Sequence, residues 1–242
     1  MMGRMGNRTT AGMRQYWDER AIENAAWYVD TTLSFDDPDM AQFLADGARI
    51  VRDALDGAPA APQRTEVAVE IGSGLGRVVR SLAERFDRVI GIDISPEMVE
   101  RAGQLVDDPR VDFRLGDGCS LAGIDDASVD LVLSFTVLQH IPDPKIIEGY
   151  LREAGRVLRP GGLLVFQWNN ERGHRRWILR RWWLTALQRT GLRPEHRRRH
   201  AAPFLGSRVP MRRIESALAD GQLTLAGVRD PDTLLAWAWA TR

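Results

Sequence analysis

Glu70, Asp93 and Asp117 each stand at or just beyond the end of a short apolar run, and a turn rich in glycine, Glu-Ile-Gly-Ser-Gly-Leu-Gly with Gly72, Gly74 and Gly76, follows the first of them. Carboxylates at the ends of extended runs can accept a cation or a diol, and glycines let a ligand come close to the backbone. The order suits an adenosine-bearing ligand: Glu70 toward a cationic group such as an α-ammonium, Asp93 toward both ribose hydroxyls, Asp117-Gly118 toward an adenine amino group. A pyrophosphate suits it poorly, because a loop for that group offers bare amides at a helix N-terminus and Glu70 would repel the charge. Two plainer alternatives stand beside this reading. Glu70 caps a backbone amide while the glycines only make a tight turn, and aspartate with glycine after a strand is ordinary turn chemistry.

The acids need strands to hold them at one edge, and the surrounding pattern supplies them. Strands are expected at Glu66–Ile71, Arg88–Asp93, Val111–Leu115, Val129–Phe135 and Leu163–Trp168, alternating with helices at Gly76–Phe86, from Ser95, and at about Lys145–Leu158. Ser95-Pro96-Glu97 reads as an N-cap, a first-turn proline and an acid complementing the helix dipole. Such alternation predicts a parallel sheet covered on both faces. A last helix near Pro210–Asp220 and two strands, Gln222–Val228 and Thr233–Ala240, close the chain as an antiparallel pair. Ahead of the sheet, residues 1–12 are expected to be disordered, and 13–64 to form a helical cap and linker with helices at Met13 to about Val29 and from the Asp36–Asp39 signal to Gly57.

With 242 residues, the chain has room for one large domain. No apolar run spans a bilayer, no secretory leader pattern opens the chain, and Cys119 is the sole cysteine, which together point to a reducing cytoplasmic setting. Formal charge is zero, yet arginines crowd between Arg172 and Arg213. Within that block Arg175–Arg189 has the spacing of a basic, tryptophan-rich amphipathic helix, suited to a lid and, less readily, to peripheral membrane contact. His196 and His200 have a metal-binding spacing, but Arg197, Arg198 and Arg199 lie between them, and no metal is expected.

Through EIGSGLGR, VIGIDISPEMVERA, LGDG, VDLVLSFTVLQHI and EAGRVLRPGGLLVF, the stretch from about Thr65 to Trp168 resembles the class I S-adenosylmethionine-dependent methyltransferases. The resemblance implies a Rossmann-like, doubly wound α/β sheet of seven mostly parallel strands with the last antiparallel, occupying 65–242 with a helical lid insertion at 169–209. It implies S-adenosylmethionine as cofactor, with Glu70 and the glycine loop at the methionine end, Asp93 on the ribose and Asp117-Gly118 at adenine. It also implies that Ile94 packs on the adenine ring and that the Ser134 backbone lies near the ammonium group. Methyl transfer needs alignment and exclusion of water, and a hydroxyl nucleophile gains from a base. His140, following the fourth strand, is the candidate base, with helix entry as its plainer role. Trp17 and Arg20 from the cap, and Arg175 and Arg176 from the lid, are candidate substrate contacts. The expected acceptor is a small molecule, favouring a hydroxyl of a sugar, glycolipid or natural product, with a glycan or an anionic or amphiphilic group facing the arginines. Two rivals remain: a nucleic-acid methyltransferase using the arginine block, against which no amino-methylating motif follows the fourth strand, and a nicotinamide-dependent oxidoreductase, disfavoured by Glu70.

Overall fold

A computed structural model describes residues 3–171 and 206–242. Seven strands form one sheet in the order β3-β2-β1-β4-β5-β7-β6. They are β1 (Val67–Ile71), β2 (Arg88–Asp93), β3 (Val111–Leu115), β4 (Val129–Ser134), β5 (Leu158–Trp168), β6 (Thr224–Arg229) and β7 (Ala236–Thr241). The first five pair in parallel, and β7 runs antiparallel to both β5 and β6. The strand order reverses its direction of growth between β1 and β4. A crevice opens at such a point beyond the carboxyl ends of the strands, which is where Glu70 and Asp93 sit.

Strand periodicity divides the core. Val69, Ile71, Ile90, Ile92 and Val132 face helices α5 (Pro144–Val157) and α6 (Met211–Asp220), whereas Ala68, Leu131, Leu133 and Val165 face α2 (Met40–Leu55) and α3 (Arg77–Leu82). Helix α4 (Pro96–Leu105) starts as its sequence dictates, with the Ser95 hydroxyl accepting from Met98 N–H. At the crossing of α2 and α3 the helices meet so closely that a Cβ on Gly47 would lie 2.1 Å from the Arg77 carbonyl oxygen. Only hydrogen fits there.

Three expectations are corrected. Helix α1 runs from Gly3 to Val29, so residues 3–12 are helical rather than disordered; Thr10 is buried, and the Arg14 guanidinium, one turn on, donates to the Gly116 carbonyl at 2.9 Å. That helix is broken at Asn24 (φ −168°, ψ 87°), whose carboxamide oxygen accepts from Trp27 N–H and whose nitrogen donates to the Phe35 carbonyl. Helix α3 ends at Leu82 rather than Phe86, and β5 begins at Leu158, before the Arg-Pro-Gly-Gly turn, taking up the slip in a register shift opposite Val129 and Leu131.

Of the insertion expected at 169–209, the two ends are described and they touch, Val209 N–H donating to Asn169 O at 3.0 Å. Arg175, Arg176, His196, His200 and the amphipathic pattern lie outside the described residues.

Candidate functional site

The glycine turn after β1 is tied down at almost every amide. Gly72 and Ser73 N–H both donate to Ile92 O, Gly74 N–H donates to the Asp93 carboxylate at 2.9 Å, and Gly76 N–H donates to Ser73 O. Gly72 and Gly74 have φ of +74° and +51°, and a Cβ on either would strike Val137 or Val29. The turn is thus pressed between the loop after β4 and the end of α1, and four of its amides are spent within the protein.

Above it lies a cavity of about 720 Å³, a size suited to a cofactor or small ligand. Its wall includes Glu70, Gly72, Ser73, Gly74, Asp93, Ile94 and Gly118 from the strand ends, together with Trp17, Gln139 and His140. Glu70 is buried, and its Oε2 has no hydrogen-bond partner. Burial pushes its carboxyl well above the usual range; Arg77 and the Val79 amide pull it down, and the charge of Asp93 pushes it further up. An ammonium group brought to Oε2 would relieve both the missing partner and the uncompensated charge. Asp93 is also raised by burial, opposed by the amides of Ser95, Gly74 and Ile94. Two of these, Ser95 and Gly74, bond one to each carboxylate oxygen, which leaves each a lone pair for a hydroxyl. These acceptor carboxylates therefore fit the ammonium and ribose hydroxyls of S-adenosylmethionine.

The structure does not bring every expected residue to this wall. Asp117 lies outside the wall and is exposed, its carboxylate accepting from Cys119 N–H, Ser120 N–H and the Ser120 hydroxyl. Gly76 is the N-cap of α3, where a Cβ would meet Phe113, and Ser134 is buried with its hydroxyl toward Ile71 O. Arg20 turns away from the cavity to pair with Glu23 at 3.2 Å, its guanidinium over the rings of Tyr16 and Tyr28. Trp17 does reach the wall, its ring edge-on to His140 with centroids 5.5 Å apart. Among the described residues no group of three His, Cys, Asp or Glu side chains gathers as a metal site.

Several residues of the site carried no signal in the sequence. Arg77 follows the glycine turn and forms a buried ion pair with Asp30, also donating to Val29 O, which staples the end of α1 to the turn. Burial raises Asp30, but the Thr32 amide and hydroxyl and the Arg77 charge outweigh it and hold the carboxyl below its usual value. Midway along α1, Asp18 accepts from the Ser95 hydroxyl and from Glu97 N–H, capping α4 from outside. Such contacts join positions 47 to 79 residues apart and follow no local pattern.

Comparison with known proteins agrees with this geometry. Residues 69–166 match a family described as "Methyltransferase domain". An uncharacterised 37.1 kDa protein of transposon TN4556 from Streptomyces fradiae is 42% identical over 120 residues, covering 48% of this chain and 32% of that protein. A 2-methyl-6-phytyl-1,4-hydroquinone methyltransferase from Synechocystis is 35% identical over 116 residues, covering 47% and 35%. The chain thus spans about a third of the length of these relatives. The crystal structure of magnesium protoporphyrin IX methyltransferase from Synechocystis, with bound S-adenosylhomocysteine, superposes with a TM-score of 0.60 at 18% identity, over 97% of this chain and 99% of that one, and shows the shared fold. Residues 69–166 thus resemble a methyltransferase domain in sequence, and the chain shares its fold with a solved S-adenosylhomocysteine-bound methyltransferase.

Proposed function

We propose that this protein transfers the methyl group of S-adenosylmethionine to a hydroxyl of a small molecule, with His140 as the base. The observation that carries the reading is the unpaired Oε2 of buried Glu70 beside the tied-down glycine turn, an arrangement made for a cationic amino-acid end. Bound there, the cofactor supplies a methyl group already activated by its sulfonium. Glu70 holds the ammonium, Asp93 the ribose diol, and the Trp17 and Ile94 side chains exclude water from the wall. The acceptor hydroxyl passes its proton to the His140 imidazole as its oxygen bonds to the methyl carbon; the carbon–sulfur bond breaks with both electrons going to sulfur. A sugar or glycolipid is the acceptor favoured by the sequence pattern; oxygen as the methylated atom is supported by a relative named ubiquinone biosynthesis O-methyltransferase.

Calorimetry with S-adenosylhomocysteine, followed by transfer of labelled methyl into fractionated glycans, lipids, RNA and small metabolites, tests the reading. Binding and label in a small-molecule fraction are expected; NAD binding without S-adenosylhomocysteine binding would overturn it. In the same assay His140→Ala is expected to keep cofactor binding and lose turnover, and full turnover would remove His140 from the chemistry.

A further inference from the structure

The loop after β4 holds two features that the cofactor reading leaves unused. Thr136, a β-branched residue, sits at φ +54°, a conformation that costs energy, and its N–H donates to the buried Gln167 side chain at 3.3 Å. Three residues on, Gln139 lines the cavity with a side chain buried to 2% exposure and an Oε1 without a partner. Its backbone cannot retreat: Gly206 packs against it so tightly that a Cβ there would come 1.9 Å from Gln139 O.

Several other polar side chains on the cavity wall are already engaged. The Tyr28 hydroxyl donates to Glu23, Asp30 is held by Arg77 and Thr32, and Gln42 and Arg49 both bond Asp46. Among buried, described residues on the wall, the unpaired polar atoms are Glu70 Oε2 and Ser73 Oγ, at the amino-acid end, and Gln139 Oε1, next in sequence to His140. A buried carbonyl oxygen without a donor is costly, and a ligand hydroxyl would satisfy it. The same cavity wall carries the aromatic rings of Trp17, Tyr28 and Phe135, with Trp17 edge-on to His140. A flat apolar ring with few hydroxyls matches that surface, whereas a sugar would bring more hydroxyls than it can pair.

We propose that Gln139 selects the methyl acceptor, and that the acceptor is a catechol-type ring: Gln139 accepts from one hydroxyl while the adjacent hydroxyl faces His140 and is methylated. The proposal rests on the methyl-transfer reading above. Gln139 is a specificity residue, and Thr136, fixed by Gln167, sets the start of the loop that presents it.

The test uses the full chain, labelled S-adenosylmethionine, and 4-methylcatechol against 4-methylphenol. Wild type is expected to methylate the catechol in preference to the phenol. Gln139→Met, similar in size but without the carbonyl, is expected to raise the catechol KM roughly tenfold, with kcat less affected and the preference over the phenol largely lost. Its affinity for S-adenosylhomocysteine is expected to stay within about twofold, since the cofactor does not use Gln139. Gln139→Glu, which keeps an acceptor oxygen, is expected to retain the preference and guards against a folding defect in the first variant. Wild type that binds S-adenosylhomocysteine but labels neither compound overturns the acceptor class. An unchanged catechol KM in Gln139→Met, or an equal loss of S-adenosylhomocysteine affinity, overturns the role of Gln139. Failure of wild type to bind S-adenosylhomocysteine overturns the methyl-transfer reading itself.

Discussion

Glu70 makes the site sensitive to pH in a direction that can be worked out. Its carboxyl is raised by burial, so between the ordinary carboxylate range and that raised value the folded chain holds a proton that the unfolded chain has shed. Folding stability contributed there is present at low pH and declines as pH rises through the window. Binding of an ammonium favours the ionised form, so S-adenosylhomocysteine affinity is expected to climb across the same window with release of a proton, read as a buffer-dependent heat. Glu70→Gln is expected to abolish both slopes and weaken S-adenosylhomocysteine roughly tenfold or more, while 5′-methylthioadenosine, which lacks the amino-acid end, binds as before. Equal loss for both ligands would show that Glu70 supports the turn rather than the ammonium. Glu70, Asp93, Gly72 and Gly74 could be located from the sequence by their position at the ends of strands, and all four line the cavity. Asp117, located by the same rule, lies outside the cavity wall and bonds its own turn through Ser120.

At the scale of elements, α1 lies across the strand ends and is fastened at three places: Arg14 to the end of β3, Asp18 to the first turn of α4, and Asp30 to Arg77 of α3. The last is the costly one to break, because removal of one partner leaves a charge buried. Asp30→Ala is expected to lower stability by about 3 kcal/mol, and the double variant Asp30→Ala with Arg77→Met to recover part of that loss, as measured by denaturant unfolding. Additive losses would show that the two side chains do not act as a pair. Because Asp30 titrates below its usual value, its contribution is full above the ordinary aspartate range and is lost as pH falls through the lowered value. Strands and most helices were readable from period and caps, since Ser95, Asp39 and Asp143 each cap the helix that follows. The extension of α1 ahead of Met13 was not, since that stretch is polar and without helical periodicity, and the nearby contact of Arg14 with Gly116 joins positions far apart in the chain.

The whole molecule is a sheet whose two apolar faces are buried and whose functional edge is built from segments far apart in sequence, with α1 closing one side. Occupancy of that cavity therefore couples to global stability: at a hundredfold excess over Kd, S-adenosylhomocysteine is expected to add about 2.7 kcal/mol, seen as a rise of several degrees in the unfolding midpoint and as slowed amide exchange in α1. No rise would mean that the ligand does not sit beneath that helix. The fold was legible as a whole because alternation of strand and helix admits few topologies, and the acceptor was not, because its pocket is assembled by tertiary closure. The tied-down glycine turn also governs which nucleotides compete for the cavity. ATP, NAD and the methyl donor share the same nucleoside, so the adenosine half of the cavity cannot tell them apart. A turn whose amides are spent on Ile92, Asp93 and Ser73, next to a buried acid, has nothing to offer a phosphate chain. Discrimination against the common nucleotides is thereby built in as refusal, and neither ATP nor NAD should displace S-adenosylhomocysteine even in large excess.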